Sequence, residues 1–424
     1  MAHRDHLHAA LDGLLGLAAL ALCVLAEALV FALRQHAALY LVPVSTMLLL
    51  CRYSRRRRAA GGTIGLVDFS CLKPPRRLRL PVAGLLEHFN IIGCFDSGSV
   101  EFMTKVIAAS GMGNETYFPP ALHYIPPAAT HAHAIQEAHM LFFPTLDDLF
   151  AKTGVPPSAV GALYAVVVSA EIITIGWYKG KDHGKLLLNC YFRTGCSAAM
   201  VTSKQRGGVE VKYRLVNVTR TNQTADDRSY RAGYRDEDEE GITGFTLGQG
   251  VGRMVSELLR AHLVTLSVSI LPWREKLRYL VALLVSMRRR RRQDKLAGTS
   301  GGRVPLPDFR AAADHFCLPS SGRPMIWRLG QGLGLGEREM EAALMAFHRF
   351  GNQSAASLWY QLAYLEAKGR IRKGDTVWQL GIGSGLKANS LVWERIADAD
   401  EVAGGLDLTG PWMECIHQYP VWEA

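Results

Sequence analysis

The stretch Met345–Asn389, MAFHRFGNQSAASLWYQLAYLEAKGRIRKGDTVWQLGIGSGLKAN, constrains the fold more than any other part of the chain. Within it, Leu358, Leu362, Tyr364, Leu365 and Ile371 fall near a 3.6-residue period, which predicts a helix. Lys368, Gly369 and Arg370 supply the chemistry of a helix end. A short apolar strand, Thr376–Leu380, then feeds a glycine loop, Gly381-Ile382-Gly383-Ser384-Gly385. Helix, strand and glycine turn in close succession call for a mixed α/β core.

Two parts of this stretch are candidates for chemistry. Gly381, Gly383 and Gly385 would let backbone N–H groups approach a ligand oxygen closely, a substrate-binding role. Their spacing is not that of a dinucleotide fold, and no P-loop Lys-Ser/Thr follows. His348 and Asn352 could donate to a developing oxyanion or enolate. They read equally well as a histidine on a helix face and an N-cap.

The start of the chain carries a different signal. Gly13–Leu33 contains one charge, Glu27, and is long enough to span a bilayer, which takes about 20 apolar residues. Ala37–Cys51 is a shorter apolar segment interrupted by Pro43, and Arg52 and Arg55–Arg58 follow it directly. The positive-inside rule makes this a hairpin with both ends cytosolic, and the second segment and basic flank argue against a cleaved signal peptide. A second basic run, Arg288–Arg292, closes the apolar segment Leu277–Val285, which is too short to span and reads as a membrane-facing helix. The formal net charge of +10 is concentrated in such runs. No aromatic-rich or zinc-binding module accompanies them, so a membrane surface is expected and nucleic acid is not. Eight cysteines without C-x-x-C spacing argue against a zinc site or disulfide framework and suit a reducing compartment.

In between, Leu66–Pro75 reads as a strand ended by Pro-Pro, and Phe102–Ala109 as a helix. Ser110–Pro127 is a Gly- and Pro-rich loop, SGMGNETYFPPALHYIPP. Ala134–Thr153 is an amphipathic helix. Leu163–Ser169, LYAVVVS, has the pattern of a buried strand. Val209–Asp227 reads as strand then loop, and Asp236–Glu240 as a solvated acidic run.

Taken together, the string SGMGNETYFP, the segments AEIITIGWY and LLNCYFRT, the triplet His315-Phe316-Cys317 and the stretch Met345–Asn389 resemble plant 3-ketoacyl-CoA synthases. These are membrane-bound condensing enzymes of fatty acid elongation, related to type III polyketide synthases. The resemblance runs over nearly the whole chain, and Pro411–Val421 matches the family's tail. It implies a thiolase-like layered αβαβα fold of two duplicated halves, behind the N-terminal transmembrane hairpin. On that basis 1–58 is the hairpin and its basic flank, and 59–245 the first half. A membrane-facing connection spans 246–301, and 302–424 is the second half.

The chain also departs from the family. Several dozen family residues, including the Gly-flanked nucleophilic cysteine, have no counterpart between Val160 and Leu163, so the first half is incomplete near 160–163. The loss of a central strand and helix predicts a cavity or an unpaired strand edge. The family's second histidine, credited with helping decarboxylation, is Pro319, and another family histidine is Asn222. Cys196, in Gly195-Cys196-Ser197-Ala198-Ala199, imitates the missing elbow, but its flanks match a family strand-turn where glycine is usual. Cys196 is therefore expected to pack as a small hydrophobe. A nucleophilic role would need a depressed thiol pKa.

What the resemblance implies for function follows. The activity is that of an acyltransferase, the decarboxylative condensation of malonyl-CoA with long-chain acyl-CoA. His348 and Asn352 hold the enolate, with His315 beside them. The substrates are the two thioesters, with no cofactor and no metal. The setting is the endoplasmic reticulum membrane, with the catalytic portion facing the cytosol. Elongase reductases and dehydratase are expected partners, and a homodimer is possible. The alternative is a catalytically inactive paralogue, or the product of a truncated gene model, that binds the elongase complex.

Overall fold

The computed structural model describes residues 64–161, 163–203, 210–248, 250–293, 306–398 and 410–421. The expected hairpin, Gly13–Leu33 with Ala37–Cys51, and its basic flank lie outside the described residues. Among those described, no helix is long and apolar enough to cross a membrane. The chain divides into two compact units, residues 62–267 with 308–424, and residues 1–61 with 268–307.

The larger unit is built on a mixed sheet. Its first strands are β1 (Gly65–Cys71), β2 (Tyr164–Ala170), β3 (Cys196–Thr202) and β4 (Tyr213–Asn222). A separate hairpin, β5 (Gly233–Glu237) and β6 (Thr243–Leu247), follows. The later strands are β7 (His315–Cys317), β8 (Thr376–Gly383) and β9 (Lys387–Arg395). Seven of them form one sheet in the order β2-β3-β1-β4-β9-β8-β7. The antiparallel ladder from Tyr213↔Arg395 to Asn222↔Lys387 joins the early strands to the late ones. β1 and β3 are central and made of small or apolar residues, so both faces can be covered. The one carboxylate in β1, Asp68, is neutralised by Lys212 at 2.7 Å.

Helices cover the sheet where sequence caps permit. In the first part of the chain these are α1 (Val82–Ile91), α2 (Ser97–Ser110), α3 (His131–Thr153), α4 (Ile173–Gly176), α5 (His183–Tyr191) and α6 (Asp227–Tyr230). Asp96 Oδ1 accepts from Ser99 N at 2.7 Å to start α2, and Gly111 at φ 76° ends it. Thr130 starts α3 in the same way and Gly154 ends it. Leu149 and Val155 pack with Val67, Ala198 and Met200, seating α3 on one face of β1 and β3. A second cluster, including Phe89, Met103, Phe118, Trp177 and Leu186, binds α1, α2 and α5 together.

After α7 (Val251–Ile270) and α8 (Trp273–Gln293) come α9 (Arg323–Gly332), α10 (Glu337–Phe350) and α11 (Ser357–Ala367). The parallel pair β7–β8 is connected through α9, α10 and α11. From Met340 to Phe350, α10 is buried on every side except at His348, which is half-buried. A helix covered all round is an internal layer, not a surface one.

Three expectations change here. LYAVVVS has the composition of a buried strand, yet β2 is an edge strand with Val167 at 52% and Val168 at 36% exposure. Among the described residues no strand pairs with its outer side, the kind of edge expected of a shortened first half. The strand expected at Thr376–Leu380 runs on to Gly383, because Gly381 and Gly383 pair with Asn389 and Lys387. The acidic run is not simply solvated. Asp236 binds Lys185 and Thr246, and Asp238 binds the Tyr178 hydroxyl.

Candidate active site

His348 occupies the last turn of α10. Its ring lies directly on Gly113, where a Cβ would stand 2.5 Å from His348 Cε1. Gly113 N also donates to His348 O at 2.8 Å. The ring of Tyr419, in the C-terminal tail, meets the imidazole edge-on at 6.1 Å. The glycine of the SGMGNET string is therefore the seat of the histidine, which ties two distant motifs together.

The helix stops at Gly351, at φ 69° and packed on the stem of Arg193, where no side chain would fit. Asn352 then pairs with the turn after α5. Its N–H donates to Tyr191 O at 3.0 Å, and its carbonyl accepts from Arg193 N at 2.8 Å. Its side-chain Oδ1 accepts from Ser354 N at 2.8 Å, starting the short turn Ser354–Ala356. That contact leaves the Nδ2 protons as the groups Asn352 has to donate. Four residues apart in sequence, His348 and Asn352 thus sit on different structures, a helix and the loop that leaves it.

The glycines form a hairpin turn between β8 and β9, not a loop opening on a helix. Gly385, at φ 64°, lies against Thr224, with a Cβ position 3.2 Å from Thr224 Cγ2. Asn222, opposite Lys387, accepts from Thr224 N and Oγ1 at 3.0 and 2.8 Å. The residue that replaces the family histidine therefore braces the loop facing the glycine turn. A Cβ on Gly381 would stand 3.4 Å from Leu358 Cδ1, so Leu358, six positions after Asn352, packs over that glycine and connects the two regions.

His315 makes a contact of its own. It opens β7 opposite Val377, and Nε2 lies 3.0 Å from Asp375 Oδ2. Gly381 is four residues further along β8, about 13 Å at the rise of a strand. His315 is thus set apart from the glycine turn along the strand direction, and its own contact is with the Asp375 carboxylate at that end of the sheet. Pro319, just past the other end of β7, lies in a turn fixed by Gln361. The Gln361 amide accepts from Leu318 N and donates to Leu318 O, both at 2.7 Å. The turn is held, but Pro319 brings no acid or base to it.

The cysteines settle the question of Cys196. It is fully buried on the α3 side of β3, beside Leu72 and Leu141, and its N–H donates to the Tyr360 hydroxyl at 3.3 Å. Burial pushes its thiol up to about 11, partly offset by the Thr145 hydroxyl. Burial likewise raises Cys190 to about 12, and raises Cys317 and Cys415. None of these four has the depressed pKa that a nucleophile needs. No group of His, Cys, Asp and Glu able to hold a metal occurs among the described residues.

One constellation was invisible in the sequence. His262 on α7 is fully buried, with Nε2 2.7 Å from Ser390 Oγ and Nδ1 2.9 Å from Thr221 Oγ1. Trp378 Nε1 donates to the same Ser390 oxygen at 2.8 Å. Burial keeps this imidazole neutral near neutral pH, paired through both ring nitrogens. No local spacing links positions 221, 262, 378 and 390.

Comparison with known proteins adds the family. Residues 53–164 and 161–289 match the FAE1/Type III polyketide synthase-like protein family, and residues 311–395 match the 3-oxoacyl-[acyl-carrier-protein] synthase III C-terminal family. Arabidopsis thaliana 3-ketoacyl-CoA synthase 4 is 36% identical, across 84% of this chain and 77% of that protein. The chain belongs to the 3-ketoacyl-CoA synthase family. Arabidopsis 3-ketoacyl-CoA synthase 6 is also 36% identical, over 85% of this chain and 81% of that protein. The first family match comes in two pieces that meet at 161–164, the place where the synthase pattern is interrupted. Among solved structures, PKS-I from the brown alga Ectocarpus siliculosus aligns with a TM-score of 0.51 at 14% identity, over 79% of this chain and 99% of that one. The fold is the mixed α/β, thiolase-like one.

Proposed function

We propose that the protein serves the decarboxylative condensation of malonyl-CoA with a long-chain acyl-CoA, the carbon–carbon bond-forming step of very-long-chain fatty acid elongation. In that reaction malonyl-CoA loses carbon dioxide, the resulting enolate carbon attacks the acyl carbonyl, and a thiolate leaves. The observation that carries this reading is the alignment with synthases over 84% of the chain, with Asn352 kept and locked in place. Its Nδ2 protons would stabilise the enolate oxygen. His348 would fix the end of α10 that delivers Asn352, and the hairpin of Gly381, Gly383 and Gly385 would wall the substrate cleft. His315 and Asp375 would hold the sheet's far end.

The finer architecture belongs to the same proposal. Two thiolase-like halves at 59–245 and 302–424 would form αβαβα layers behind a membrane hairpin at 1–58. The protein would lie in the endoplasmic reticulum membrane, its catalytic part cytosolic, without resident cofactor, beside elongase reductases and dehydratase, with a homodimer possible. Microsomes carrying the protein, given labelled malonyl-CoA and long-chain acyl-CoA, should yield labelled 3-ketoacyl-CoA above a vector control. Asn352→Ala should abolish the gain.

A second reading, which the comparisons do not favour, starts from the burial of Cys196 and from Pro319: a catalytically silent paralogue that binds elongase partners. Here no product forms, and the protein co-purifies with an elongase reductase or an active synthase. Product formation that Cys196→Ala removes would overturn the structural role given to that cysteine. Transcript sequence across Ala159–Tyr164 tests the shortened gene model, since an in-frame segment with a Gly-flanked cysteine would restore the nucleophile.

A further inference from the structure

We infer that α8 is an interfacial helix for a bilayer surface rich in anionic headgroups. The segment WREKLRYLVALLVSMRRRRRQ carries eight basic residues against one Glu, so it supplies +7 of the chain's net +10. Its exposed stripe runs through Arg274, Arg278, Val281 and Val285, at the i, i+4, i+7 and i+11 positions of one face. Val281 is 52% exposed, Leu284 38% and Val285 44%, alongside Met287 at 52%. Water is a poor partner for contiguous aliphatic groups, and a span is excluded by length and charge. Along the helix the basic residues flank the aliphatic ones at both ends, and lying in the headgroup plane satisfies both chemistries: aliphatic groups leave water while long basic side chains reach the headgroups. Trp273, at its first turn, is a side chain suited to that depth.

The charge decides the lipid. Basic residues beside a bilayer gain from acidic headgroups and nothing comparable from zwitterionic ones. RNA would also attract the arginines. However, it would leave the aliphatic stripe in water, and its usual base-stacking aromatics are absent from that stripe. The inference deepens the membrane placement proposed above, since it names a second contact and its lipid class.

The test is hydrogen–deuterium exchange on the full chain in proteoliposomes of phosphatidylcholine, with and without phosphatidylserine. Amides of residues 273–293 should exchange about tenfold slower with phosphatidylserine present. The protection should fade at high salt. It should vanish in a variant with Arg288–Arg292 all changed to Gln, and in Val281→Asp/Val285→Asp. Exchange across α10 reports that each variant remains folded. Equal exchange with and without phosphatidylserine, or protection kept by the glutamine variant, would overturn the inference. So would protection by RNA with no response to phosphatidylserine. Peptides from 13–51 read the hairpin separately: unprotected there but protected at 273–293 would refute the hairpin and uphold this surface.

Discussion

Gly113→Ala tests whether the seating of His348 organises the site. The added Cβ would stand 2.5 Å from His348 Cε1 and 2.6 Å from Nε2, well inside contact distance. Gly113 is not among the glycines at positive φ, so alanine is compatible with the backbone. The entire penalty must then come from the ring. Overpacking of this kind costs about 1–3 kcal/mol. Against it stands the smaller entropy that alanine leaves in the unfolded chain, about 0.4–1 kcal/mol in favour of folding. The net expectation is a loss of about 1.3 kcal/mol at the midpoints of those ranges, within bounds of about 0–2.6 kcal/mol. With His348→Ala already present the ring is gone, and the same glycine change should become neutral or stabilising.

That change of sign is the useful part. A double-mutant cycle read by thermal unfolding in detergent should show Gly113→Ala lowering the midpoint by a few degrees in the native background. In the His348→Ala background it should raise the midpoint or leave it unmoved. An equal loss in both backgrounds would refute the seat described for His348. The loop Ser110–Pro127 would then have to be destabilised by some contact other than the imidazole.

Buried hydrogen bonds, thiols and strand edges set further expectations. Ser390→Ala removes the partner of both His262 Nε2 and Trp378 Nε1, and should cost about 1–3 kcal/mol in chemical denaturation. Burial holds His262 down to about 4 from an ordinary 6.5, so the unfolded chain binds the extra proton between those values. Stability should therefore fall as pH drops from 6.5 towards 4, by about 3 kcal/mol in full, and His262→Asn should flatten that part of the profile. Cys196 should resist iodoacetamide in the folded protein at neutral pH and react once it is unfolded, as peptide mass spectrometry would show; rapid labelling in the folded state would contradict its burial. Val167→Lys, on the open edge, should change the unfolding midpoint little. Its cross-strand neighbour changed likewise, Ala199→Lys, should prevent folding, because Ala199 is 1% exposed.

Local signals in the sequence were read well where local chemistry decides the structure. The period in Ala134–Thr153 and the caps Thr130 and Gly154 belong to one turn of chain each, so α3 appears almost where expected. The same holds for the helix after Asn352. Long-range pairing carries no such mark. An apolar run such as LYAVVVS is identical whether a neighbour covers it or not, so the edge position of β2 could be anticipated only from the missing segment. Gly381 and Gly383 look like loop residues until Lys387 and Asn389 are found opposite them. His315 is legible as a motif residue. That Asp375 claims it depends on how β7 and β8 align, which the sequence does not state. Cys196 is the clearest case: GCSAA has the letters of a nucleophile elbow, and only the strand beneath it makes the thiol a packing group.

A first half shortened as expected from the sequence would still fold, for a reason that bears on function. The joint at 160–164 is closed by its own hydrogen bonds: Gly161 N donates to Tyr164 O at 2.8 Å, and Gly161 takes φ 90°. Thr202 Oγ1 then donates to Leu163 O at 2.9 Å, pinning the joint to β3. From there β2 pairs with β3 over seven residues, Tyr164↔Thr202 through Ala170↔Cys196. A sheet shortened there would lose a neighbour on one side only, and an edge strand costs far less than a break in the middle. The groups that would steady an enolate lie on α10 and the loop after it, which are held by hydrogen bonds to the turn after α5 and to the loop of Gly113. Removing the nucleophile's segment can thus leave Asn352 in place, and activity and fold become separable in this chain. If Asn352→Ala lowers stability as much as a core truncation does, that separation fails, and the residue must be counted as part of the scaffold instead of the site.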